Sequence, residues 1–160
     1  MTVLTAMRSG PGATPSPAGL KAILAGGLLA GALDYLAAMV ASGSGFAPVG
    51  RFIASGVYGP AAFEGGVGMA AQGVLFHFGI MMVIAATYVG ASRVQPTLVR
   101  LWPLWGPLFG IAVYFAMREV VVPLSNAVQG DPPLWRRLIQ VGIHMVFVGL
   151  PIAFCAARVR

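Results

Sequence analysis

Residues 20–41, LKAILAGGLLAGALDYLAAMVA, decide how this chain folds. They form an apolar run broken only by Lys21 at its start and Asp34 in its interior. A run of this length matches the ~20 residues an α-helix needs to cross ~30 Å of hydrocarbon. Three more runs of the same character follow, at 67–89, 101–122 and 134–157. The expected fold is therefore all-α: a polytopic membrane protein built as a bundle of four transmembrane helices in residues 20–160.

Composition supports this solvent assignment. Of 160 residues, 58% are hydrophobic and only 9% charged, against about a quarter charged in soluble domains. Ten Lys and Arg and four Asp and Glu are too few to cover a water-facing surface, so the main partner is the lipid bilayer. The net charge of +6 does not point to nucleic acid, because no basic run with interleaved aromatics occurs. The lone Cys155 rules out an intrachain disulfide framework and any two-cysteine metal motif.

Residues 1–19, rich in Pro, Gly, Ser and Thr, are expected to be a disordered cytoplasmic tail. The first apolar run is expected to be retained rather than cleaved as a signal peptide, since Asp34 interrupts it and no good A-x-A-like exit follows. Four crossings put both termini on one side. That side carries Arg8, Lys21, Arg93, Arg100, Arg158 and Arg160 and no acidic residue. The other side carries Arg51, Arg136 and Arg137, with Arg118 just inside it, against Glu64, Glu119 and Asp131. The cationic excess predicts cytoplasmic termini in a bacterial inner membrane. Between the first two spans, 48–64 reads either as an interfacial segment of one or two amphipathic turns or as a Gly-rich loop.

Gly27 and Gly31 in the first run, and Gly106 and Gly110 in the third, clear one helix face for close packing. Each pair is followed by a tyrosine, Tyr35 and Tyr114, and the partner runs carry His77 and His144. This echo would suit a parallel repeat about an axis along the membrane normal, although chance produces two such short matches more readily than duplication does. Pro151 removes a backbone donor and is expected to kink the fourth run just below His144.

Ionisable groups inside a membrane are costly unless paired or hydrated, so Asp34, His77, Arg118, Glu119 and His144 form the candidate polar cluster. At 1.5 Å per residue, Asp34, His77 and His144 lie ~10–15 Å below the outer face, and Arg118 and Glu119 ~5 Å. Asp34 shares the glycine face and should point inward. Glu119 is expected inside, with Arg118 snorkelling outward. An Asp with two His at one depth can relay protons, hold a metal or contact a quinone, and His77 and His144 could clamp a haem iron. The simpler alternative is an Asp–His or Tyr–His hydrogen bond that pins the helices. No cofactor is expected. C-x-x-C-H, H-E-x-x-H, G-x-S-x-G and P-loop patterns are missing from the sequence, which leaves a catalytic role unsupported.

Five stretches resemble the small YagU-like inner-membrane proteins of bacteria, or a sibling family of the same four-helix plan. They are 26–34, the loop from Ala54-Ser55-Gly56 to Phe63-Glu64-Gly65-Gly66, His77-Phe78, 120–125 with Pro123, and His144 through Gly149-Leu150-Pro151-Ile152-Ala153. The resemblance implies the topology and brings no chemistry with it, and the Arg118-Glu119 pair departs from it. The leading expectation is a structural or accessory membrane protein in which Asp34, His77 and His144 fix helix register, as a homo-oligomer or inside a larger complex. A small transporter or proton-linked channel, with the same residues lining an outward-facing polar cavity, is the rival. A haem- or metal-binding redox subunit is the third reading.

Overall fold

The computed structural model describes residues 16–128 and 130–159. Four helices are long and apolar enough to cross a membrane: α1 (Pro17–Ser42), α3 (Val67–Val94), α5 (Trp102–Val121) and α6 (Leu134–Arg158). Two shorter helices lie between them, α2 (Phe46–Tyr58) and the single turn α4 (Thr97–Arg100). No strand occurs among the described residues. The all-α, four-span bundle expected from the sequence is thus the observed fold.

Local chemistry sets the helix limits. Ser16 caps α1 by accepting from the Gly19 N–H at 3.1 Å, and Pro17 occupies the first turn, where a missing donor costs nothing. The helix therefore starts three residues before the boundary of the expected tail, the rest of which lies outside the described residues. Gly43 ends α1 in the left-handed conformation (φ 64°) that residues with a Cβ avoid. α3 runs on past residue 89 to Val94 because no breaker precedes Pro96, which disfavours helix at Gln95.

The segment expected to be a loop or a turn or two is a 13-residue helix, α2, followed by a 3-10 turn at Gly59–Phe63. Glycine allows it to sit on α3 backbone to backbone: a Cβ at Gly73 would collide with the Gly50 carbonyl. Tyr35 holds its start by donating to the Phe46 carbonyl at 2.9 Å. At its end, Asn126 donates from its backbone to Gly56 and from its side chain to Val57, both at 2.9 Å, tying the connection after α5 onto α2.

α1 packs between α3 and α6, and α6 packs between α1 and α5. The start of α1 approaches the end of α3 at Gly19 and Arg93, and Gly26 faces Ile152 and Cys155 near the end of α6. The start of α1 and the end of α6 therefore share one end of the bundle, here the near end. The packed core lies mostly in that half. It contains Ala22, Ala30, Met81, Ala85, Tyr88, Val89, Val148, Ile152 and Ala156.

Both α5 and α6 contain a π-helical stretch, Met117–Val121 and His144–Gly149. In the second, the Leu150 N–H bonds to Met145 O, five residues back, immediately before Pro151. The structure therefore meets the proline with a widened turn, one of the recognised ways of perturbing a helix at such a site.

Candidate functional site

The glycine echo is geometric as well as textual. A Cβ on Gly27 would strike Met82 and one on Gly31 would strike Phe78; in the other hairpin, Gly106 meets Gly149 and Leu150, and Gly110 meets His144 and Met145. Position for position these are equivalent contacts. The tyrosines one turn further along repeat as well. Tyr35 meets His77 edge-on with ring centroids 5.4 Å apart and planes at 70°, and Tyr114 meets His144 at 5.5 Å and 74°. The Tyr–His link is thus a ring-edge contact in both hairpins.

The polar partners of the two imidazoles are backbone carbonyls. His77 Nε2 lies 2.9 Å from Gly31 O on α1, so the bond crosses between helices. His144 Nδ1 lies 2.9 Å from Gln140 O, within its own helix. A carbonyl can only accept, so each of these nitrogens carries a proton and donates it. That leaves Nδ1 of His77 and Nε2 of His144 as the remaining acceptor or ligand positions. His77 is only 8% exposed and is flanked on its other side by Phe78 at 5.5 Å, whereas His144 is half-buried.

Asp34 sits on α1, which touches both histidine-bearing helices. It is half-buried, and its counterpart in the second hairpin is the buried Val113. The second hairpin therefore has no carboxylate at this position. Among the described residues, no group of three or more His, Cys, Asp or Glu side chains converges closely enough to hold a metal ion.

Arg118 and Glu119 do not join this trio, and their expected orientations are reversed. The Arg118 side chain is 18% exposed and that of Glu119 62%. Arg118 turns toward the connection before α6, where its Nη2 bonds Asp131 Oδ1 at 3.2 Å, and its Nε lies 3.3 Å from Glu119 Oε1. Arg137 Nη2 bonds the same Asp131 oxygen. An anionic partner close by favours holding Arg118 in over letting it snorkel. Asp131 was legible only as a loop charge. Helical spacing places Arg137 and Gln140 on one face of α6 with His144.

The hairpin symmetry is broken at one seam. Gly26, Ala30 and Cys155 let α1 and α6 close; the equivalent positions between α5 and α3 hold Trp105, Phe109 and Tyr88. Tyr88 and Phe109 stack edge-on at 4.9 Å and act as a wedge. Beyond the wedge, α3 and α5 leave an apolar groove of about 820 Å³ lined by residues such as Leu75, Ile80, Val83, Ala112 and Ala116. None of Asp34, His77, Arg118, Glu119 and His144 lines it. Comparison with known proteins finds no matching family model, no matching curated protein and no matching solved structure.

Proposed function

We propose that this chain is a structural or accessory protein of a bacterial inner membrane, akin to the YagU-like proteins, with both ends in the cytoplasm. In this reading His77 fixes the register of its hairpin, Asp34 and His144 complete the polar cluster, and the exterior meets lipid and neighbouring subunits of a homo-oligomer or larger complex. The observation that carries it is the bond from His77 Nε2 to Gly31 O. A side chain committed to a neighbouring helix's backbone sets the height of one span against the other.

The charge distribution supports the orientation. Lys21, Arg93, Arg100 and Arg158 cluster at the near end, where the described residues include no Asp or Glu. The test uses Asp34→Asn and His77→Ala in detergent and in proteoliposomes. Both variants should melt earlier, with no change in proton or solute flux. A flux present in the parent protein and abolished by Asp34→Asn at unchanged stability would replace this reading with a transporter.

A further inference from the structure

We propose that the groove between α3 and α5 is a lipid seat, which holds one acyl chain of a phospholipid from the far leaflet. The inference needs only that the chain spans a membrane, and it stands apart from the role proposed for His77.

The groove exists because these two spans are held apart at both ends. At its near end Tyr88 and Phe109 meet edge-on at 4.9 Å, and the Tyr88 hydroxyl is anchored by its bond to Leu98 O at 2.8 Å. At its far end α2 bridges the gap. Its Gly50 and Ala54 lie on Gly73 of α3, while Asn126, just beyond α5, bonds to Gly56 and Val57. Val57 thereby joins Leu75, Phe76 and Val121 in the groove wall. The Tyr58 hydroxyl donates to Gln72 Oε1 at 2.6 Å and fixes the bridge to α3. Between the two closures the walls are low. Gly79 on α3 and Ala112 and Ala116 on α5 are exposed, and the rim at Leu75 and Val83 opens sideways to the bilayer.

The chemistry of the lining selects what fills it. No lining residue is charged. Its one hydroxyl, on Thr87, already donates to Val83 O of its own helix at 2.9 Å. Water would find no partner, and a headgroup or a peptide would lose its hydrogen bonds there. A groove of about 820 Å³ with such a lining therefore takes hydrocarbon, which gains dispersion contacts along both walls.

Length separates an acyl chain from a helix. The lining runs from Leu75 to Thr87 on α3 and from Phe109 to Val121 on α5, ~18 Å in each case at 1.5 Å per residue. Counted along α3 from Arg93 at its near end, Tyr88 lies ~8 Å in and Leu75 ~27 Å in. The groove thus covers the far part of a hydrocarbon core ~30 Å thick, a little more than one leaflet of about 15 Å. A transmembrane helix of a second copy needs the whole depth, and it would meet Tyr88, Phe109 and Trp105 before crossing. Taken as one helix diameter wide, ~10 Å, the groove offers on the order of 200 Å², against about 800 Å² per partner in a stable protein interface. An acyl chain fits these limits, with its headgroup left outside beside α2.

The test follows the full chain, purified in a mild detergent, by native mass spectrometry as phosphatidylethanolamine or phosphatidylglycerol is added. The parent should retain one phospholipid and treat the two headgroups alike, because the groove carries no charge. Gly79→Leu, whose side chain enters open space within the groove, should weaken retention by about tenfold. Gly90→Leu, equally free of neighbours but off the groove, should retain lipid as the parent does. If Gly79→Leu does not fold, Ala112→Leu on the opposite wall reads the same loss. A parent that retains no lipid, retention unchanged by filling the groove, or retention that requires the anionic headgroup overturns the proposal. A dimer that Gly79→Leu dissociates also overturns it and gives the groove to a second copy.

Discussion

His77 places its Nε2 2.9 Å from the carbonyl oxygen of Gly31, joining α3 to α1 through a glycine that has no side chain to keep them apart. A Cβ at Gly31 would enter the Phe78 ring, so the glycine permits the approach that the histidine then fastens. Its twin, His144, bonds only within its own helix. Two residues equivalent in the repeat therefore do unequal work, and the difference is measurable.

The glycines separate into those that carry contacts and those that do not. Gly73→Ala and Gly110→Ala would drive a Cβ into the backbone of Gly50 and of His144. Each should cost about 1–3 kcal/mol by overpacking, read as unfolding in detergent. Gly79→Ala and Gly90→Ala meet nothing within 4 Å and should be neutral, or stabilising by up to ~1 kcal/mol through helix propensity.

Tyr88 should be sensitive in two grades. Its ring is 2% exposed against Phe109, and its hydroxyl donates to Leu98 O at 2.8 Å. Tyr88→Phe keeps the wedge and should lose about 1 kcal/mol. Tyr88→Ala removes it and should lose about 3–5 kcal/mol, with α3 and α5 coming close enough for a disulfide between Ile84→Cys and Ala112→Cys.

At the far end, Asp131 is mostly exposed although it bridges Arg118 and Arg137. Asp131→Asn should therefore cost no more than ~1 kcal/mol, and salt titration should shrink the effect. Glu119→Gln, at a side chain more exposed than its neighbour Arg118, should leave the melting temperature unchanged.

Much of this fold could be read in the chain, because lipid imposes a single strong rule: about 20 apolar residues per crossing. Helix ends shifted where a local cap decided them, as Ser16 did for α1. α2 was harder to see. Its stability comes from Gly50 lying on Gly73, a contact between segments that no local pattern encodes. Helical rise alone puts Asp34, His77 and His144 at similar distances from the ends of their runs. Which atoms the two histidines bond to does not follow from it, since a backbone carbonyl leaves no mark in sequence. The reversal of Arg118 and Glu119 has a similar origin: Asp131, a loop residue without a fixed position in sequence, draws Arg118 inward.

The most direct test compares His77→Phe with His144→Phe by unfolding in detergent. Both changes keep an aromatic ring beside the tyrosine and remove the donor. The bond from His77 joins two helices, so His77→Phe should lose about 1–2 kcal/mol, within the range of hydrogen bonds between membrane helices, and His144→Phe clearly less. Equal losses, or a larger one at His144, would contradict the claim that His77 sets the register of the bundle.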